Sequence, residues 1–198
     1  MALQLTVSNI LQLFGIFSPI FLAFFLVLVS IFNQNIKGLI YLGGVTIASV
    51  LNIFIQTGLK DYLPISDSVF CNLYSVSSLN PARFNSMFIA FTFMYLLLPM
   101  LSNNQVNVWL IGLLVAMFAV DAYTNVSNGC TNVKIGVIFN GVIGLIFGLV
   151  FYSIMMLTGN ESLLYFQDLT SNNVVCKRPN NQTFKCSVYK NGQLLGDI

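Results

Sequence analysis

The chain has 198 residues, of which only 14 are charged, 8 basic and 6 acidic. A soluble domain of this length carries roughly 50 charged residues, so 57% apolar residues at net charge +2 exclude the ordinary globular enzyme. They also exclude a disordered chain, which needs low hydrophobicity, and a nucleic-acid binder with a basic face.

Histidine is absent. That removes Ser-His-Asp and Cys-His catalysis, histidine-ligated zinc or haem, and a phosphohistidine intermediate. The charges are clustered. None occurs in residues 1–36, and further charge-free gaps run from Gly38 to Leu59, Phe84 to Val120 and Ile135 to Asn160. A charge at a bilayer centre costs about 2.5–3.5 kcal/mol, and about 20 residues cross the hydrocarbon core. The gaps therefore predict an all-α polytopic membrane protein with about five spans, near residues 10–32, 39–55, 86–101, 106–123 and 135–157. A soluble helical bundle is the alternative, but it would be left with almost no polar surface.

The first span contains Pro19. If Ser18-Pro19 opened a helix, only about 21 Å would remain up to Phe32. Residues 3–17, with Leu3, Val7, Ile10, Leu11 and Phe14 on one side, would then lie at the interface. A kinked full span is the simpler reading. There is no basic n-region and no small-residue cleavage site, so a cleaved signal peptide is not expected. In the second span, Gly44-Val-Thr-Ile-Ala48 is a small-xxx-small pattern with Asn52 one turn on. In the fifth, Gly136, Asn140, Gly144 and Gly148 recur every fourth residue. Small residues let helix backbones approach closely, and Asn52 and Asn140 are expected to bond across helices. No carboxylate or lysine is expected inside a span. Asp121 is read as the end of the fourth span, which weakens an ion-coupled transporter.

Five spans place the N-terminus, loop 56–85 and loop 124–134 on one side, and the tail 158–198 on the other. Basic residues near the spans are balanced, so no orientation follows. The Asn-x-Ser/Thr acceptors Asn125, Asn160 and Asn181 fall on both sides. Cys71 and Cys130 lie in loops of one side and Cys176 and Cys186 in the tail, which gives two candidate disulfides or four free thiols. The tail carries strand formers from Thr183 to Tyr189, then Asn191-Gly192, a type I′ turn signal. It is read as a small β-hairpin module outside the bilayer, distinct from the bundle of residues 1–157.

Two family resemblances follow from particular stretches. Lys60 after an asparagine-containing span, Pro81 before the next span, and the glycine-rich Val137-Ile-Phe-Asn-Gly-Val-Ile-Gly-Leu-Ile-Phe-Gly resemble the layout of the membrane phosphatidic acid phosphatase type 2 family. That family's Lys-x6-Arg-Pro motif is broken, since Asp67 and Ser68 stand where Arg and Pro are needed. Its Pro-Ser-Gly-His motif is replaced by Pro81-Ala-Arg-Phe, and both of its catalytic histidines are missing. The resemblance implies a dead scaffold that contacts lipid headgroups through Lys60, Arg83 and Asp121.

The run from Asn80-Pro-Ala-Arg-Phe-Asn-Ser-Met to Pro99 looks like multi-pass membrane proteins of large icosahedral double-stranded DNA viruses. So do Thr158-Gly-Asn-Glu-Ser-Leu-Leu-Tyr-Phe and Gln182-Thr-Phe-Lys-Cys-Ser-Val-Tyr-Lys-Asn-Gly. This second likeness covers roughly residues 60–195. It implies a minor capsid protein of the virion's internal membrane.

The expectation is a non-enzymatic structural protein without cofactor or metal. It would anchor a bilayer to capsid or other membrane proteins through its tail and loop 56–85, and would bind no nucleic acid. The alternative is a non-catalytic lipid-handling protein.

Overall fold

The computed structural model describes residues 7–59, 81–130, 133–165, 187–190 and 193–197. Five long helices account for most of them. They are α1 (Val7–Phe32), α2 (Lys37–Gly58), α3 (Pro81–Ser102), α4 (Val108–Ser127) and α5 (Phe139–Leu157). A π-helical stretch, Val133–Ile138, runs into α5, and a 3₁₀ turn, Glu161–Leu163, follows it. All five long helices are long and apolar enough to cross a membrane, which is compatible with an integral membrane protein. Each expected span coincides with one of them, with ends moved by at most five residues.

Four of the five helices stop for a shared reason. After α1, the Gln34 N–H bonds Ile31 O and the Asn35 N–H bonds Ser30 O. The same pair of bonds closes α3 at Asn104, α4 at Gly129 and α5 at Gly159. This is the Schellman closure, which needs one residue at positive φ. Gly129 (φ 66°) and Gly159 (φ 71°) adopt it freely. Gln34 and Asn104 adopt it as non-glycine residues, at φ 51° and 52°. At the opposite pole of α4, the Asn107 side chain accepts from the N–H groups of Trp109 and Leu110 and caps the start.

α3 is the central element. Of its apolar stretch 67% is enclosed, against 28–33% for the other four. A helix buried all round must be apolar or internally satisfied all round, and α3 reads that way from Met87 to Met100. α5 approaches it most closely, through two of the four small positions singled out in the sequence. A Cβ on Gly144 would collide with the Met87 carbonyl, and one on Gly148 would lie 2.7 Å from the Phe91 carbonyl. Met87 and Phe91 are one turn apart on α3, so two glycines of α5 seat against one ridge of backbone. Gly44 of α2 serves a different purpose, because its missing side chain makes room for the Phe151 ring, 2.7 Å from a Cβ placed there. Ala48 is buried on the same helix. Gly136 is buried within the π-helical turn, where its carbonyl accepts from the Asn140 side chain (2.7 Å).

The bundle does not end with α5. Leu164 and Tyr165 fold back and are buried. The Tyr165 hydroxyl donates to the Leu26 carbonyl of α1 (2.5 Å), and its ring meets Tyr95 of α3 edge-on at 6.3 Å. Burial raises the Tyr165 pKa, against a smaller lowering by Ser30, so the group stays a neutral donor. The first compact unit accordingly runs Met1–Asp168, past the boundary expected after residue 157. The second unit is Leu169–Ile198. Its described residues are the short strands β1 (Ser187–Lys190) and β2 (Gln193–Asp197). The candidate turn Asn191-Gly192, and Cys176 and Cys186, lie outside the described residues.

The two kinds of glycine contact are expected to respond differently to a methyl group. Gly144→Ala pushes on backbone and should destabilise the bundle by about 1–3 kcal/mol. Gly44→Ala meets only the far edge of a ring that can rotate, and should cost less. Unfolding of each variant in mixed micelles measures both, and equal losses would contradict this packing.

Candidate functional site

The described helices carry many polar side chains inward. Ser18, Ser86, Thr92, Asp121 and Asn140 are wholly buried, and Asn52 nearly so. The outward positions are apolar, with Phe24, Ile47, Phe54 and Trp109 all 60% or more exposed. Ser18, Asn85, Ser86, Asp121, Thr124 and Asn125 form one layer, where the first half of α1, the start of α3 and the second half of α4 meet.

The arrangement begins at Pro19. Proline has no N–H, so the carbonyl four residues earlier loses its helical partner. That carbonyl belongs to Gly15. The Ser18 hydroxyl donates to it (3.0 Å), and so does the Asn85 amide of α3 (3.2 Å). Asn85 also reaches the Ile16 carbonyl (3.3 Å). α1 therefore continues unbroken through Pro19 as a full-length helix, because a hydroxyl and a neighbouring helix supply what the backbone lacks. Gly15 lets α4 come close, since a Cβ there would lie 2.6 Å from the Thr124 hydroxyl.

Asp121 sits at the centre of this layer. Its carboxylate accepts from Ser86 Oγ of α3 (2.9 Å) and from Asn125 Nδ2, one turn along α4 (2.8 Å). The Asn85 amide lies beside it. One asparagine thus links the opened turn of α1 to the carboxylate of α4. At the rim, Gln12 of α1 donates to Asn128 just after α4 (3.1 Å). Asp121 is the fourteenth of the 20 residues of α4, not its end, and this corrects the expectation that no carboxylate lies inside a span. It is also wholly enclosed by protein, so it is out of reach as a lipid-headgroup contact. Asn125, an Asn-x-Ser acceptor in sequence, is committed to Asp121 and buried.

A second polar contact joins α2 and α5. Gln56 donates to Asn140 Oδ1 (3.2 Å). Among the described residues, Asn140 thus bonds across helices, as expected, while Asn52, one turn before Gln56, does not. Instead, the Asn52 carbonyl oxygen is buried without a hydrogen bond among the described residues. Deeper in the bundle, Thr92 Oγ1 donates to the Phe88 carbonyl (2.9 Å), so the Tyr41 hydroxyl donates to Thr92 (2.7 Å).

Of the other predicted site residues, Lys60 and Cys71 lie outside the described residues. Arg83 falls within α3, and its side chain is not described. Cys130 is buried just after α4. Among the described residues no group of three or more metal-ligating side chains converges.

Chemically, the layer is a set of neutral donors closed around one carboxylate. An enclosed carboxylate with its acceptor sites occupied ties helices together. The residues that sequence reading missed, Ser86 and Asn85, lie 35 residues or more from their partners. Only Asp121 and Asn125, at helical i, i+4 spacing, offered a local signal.

Two outcomes are expected. Asp121→Leu strands the donors of Ser86 and Asn125 and should destabilise the bundle by about 1–3 kcal/mol, whereas Asp121→Asn, which keeps an acceptor oxygen, should cost less. Asn85→Ala should cost about 0.6–1.7 kcal/mol, the range of interhelical bonds in membranes, and less once Pro19→Ala restores the N–H that Gly15 lacks. A double-mutant cycle on unfolding free energy reads the coupling, and strict additivity would contradict the link.

Comparison of this chain with family models, with curated proteins and with solved structures finds no match.

Proposed function

We propose that this is an integral membrane protein with a structural, non-enzymatic role, whose bundle is the anchor and whose tail and loop 56–85 bind neighbouring proteins. The observation that carries the membrane placement is the inverted distribution of side chains. Asp121 and Asn140 are wholly buried while Trp109 is 91% exposed and Phe54 70%. A soluble monomer rarely exposes apolar patches on that scale, and polar groups within a bilayer face the bundle interior. Trp109 at the start of α4 and Tyr123 near its end are both exposed, as aromatic anchors at the two interfaces are.

The structural role rests on chemistry. Without histidine, and with Asp121 closed off by its own hydrogen bonds, the described residues of the bundle offer no acid-base pair to a substrate. The tail contrasts with the bundle. Residues 161–198 hold seven of the 14 charges. In this reading they form a hairpin in which Ser187 pairs with Asp197 and Lys190 with Gln193, closed by Asn191-Gly192 and stapled by Cys176 and Cys186. A Cys71–Cys130 bridge would tie loop 56–85 to the end of α4. The virion setting comes from the resemblance in residues 60–195, and the partner it implies is a capsid protein above an internal membrane.

The test uses particles that contain the protein. Mild detergent should remove lipid and leave this chain with the capsid proteins. Deleting residues 173–198 should release it while the bundle stays membrane-inserted. Unchanged capsid association after the deletion would defeat the tail's role, and extraction of the intact chain by alkaline carbonate would defeat the membrane placement.

A further inference from the structure

We propose that the groove between α3, α4 and α5 holds one acyl chain of a bilayer phospholipid; this rests on the membrane placement proposed above. The groove is a cavity of about 300 Å³. Ile89 and Phe93 of α3, Leu114 and Phe118 of α4, and Gly141 and Leu145 of α5 line it, and none of its lining side chains is polar. It opens sideways. Val115 and Val142 at its rim are 53% and 47% exposed, so the mouth faces whatever surrounds the helices.

Gly141 is what keeps the groove open. It lies one turn before Gly144 on α5, and a Cβ placed there would come within 3.2 Å of the Phe118 ring of α4. A larger side chain would fill the space.

The choice of occupant follows from size and chemistry. Water needs two to four polar partners, and the lining supplies none from side chains. An empty groove forfeits the dispersion contacts of its lining. A helix of a second copy does not fit, because one turn roughly 10 Å wide and 5.4 Å tall takes up about 400 Å³. An apolar cavity of roughly 150 Å³ accepts the six carbons of benzene. Twice that volume accepts about a dozen carbons on the same scale, which is most of one acyl chain. The groove lies within the apolar stretches of three helices, at the depth where such chains are the solvent.

The experiment is native mass spectrometry of the full chain, purified from phosphatidylcholine vesicles and carried through detergent exchange. One phospholipid per chain is expected to remain. Val142→Trp, which plugs the mouth, should lose the retained lipid. Val150→Trp, at an exposed α5 position outside the groove, should leave retention unchanged. Should Val142→Trp fail to fold, the unaltered protein is photolabelled with a phosphatidylcholine bearing a diazirine on one acyl chain, and adducts are expected at Val115, Phe118 and Val142. Absence of retained lipid, equal retention by both tryptophan variants, or cross-links between two copies through this mouth would overturn the proposal. Carbonate extraction separates the two readings. A chain that stays in the membrane yet retains no lipid overturns the groove alone, whereas a chain that is extracted overturns both.

Discussion

A helix surrounded by apolar material cannot leave a backbone carbonyl unpartnered, since each unsatisfied group costs several kcal/mol. Pro19 creates one such carbonyl at Gly15, and the packing of three helices follows from how it is answered. Ser18 supplies a hydroxyl from within α1, and Asn85 supplies an amide from α3. Asn85 then stands beside Asp121 of α4, whose carboxylate draws in Ser86 and Asn125. A missing N–H on one helix thus sets the rotation of two others. Gly15 lets this happen, because a side chain there would occupy the place of the Thr124 hydroxyl.

The opposite end is closed by bulk. Tyr165 returns from beyond α5 to bond the Leu26 carbonyl, and the rings of Tyr41, Phe91, Tyr95 and Phe151 fill the space around it. Between the two ends, Gly144 and Gly148 hold α5 against the backbone of α3. Lipid provides no hydrophobic force between helices, so close packing and internal hydrogen bonds must supply the cohesion. The bundle uses hydrogen bonds where a proline opened a helix and close packing where glycines permit it.

Charges mark most span boundaries, and the polar run Ser102-Asn-Asn-Gln105 divides the long charge-free gap from Phe84 to Val120 into two spans. The same rule misled at Asp121, where a charge was taken for a boundary although the helix runs through it to Ser127. A charge is tolerated inside a span when donors meet it, and those donors come from residues distant in sequence. The recurrence of Gly144 and Gly148 announced a close helix contact but not which helix would fill it. Pro19 announced a freed carbonyl but not Asn85. Asn52 and Asn140 had the right chemistry, yet the rotation of α2 put Gln56 opposite Asn140. Leu164 and Tyr165 were assigned to the tail because the residues before them are polar, and what returns them to the bundle is an acceptor on α1.

The central claim is that the outward apolar faces meet lipid. Spin labels placed singly at Phe24, Ile47, Leu113 and Ile146, each more than half exposed, test it most directly in reconstituted vesicles. Collision with apolar oxygen should be high at all four sites and collision with a water-soluble nickel chelate low. The reverse order at these positions would place the faces in water and contradict the account.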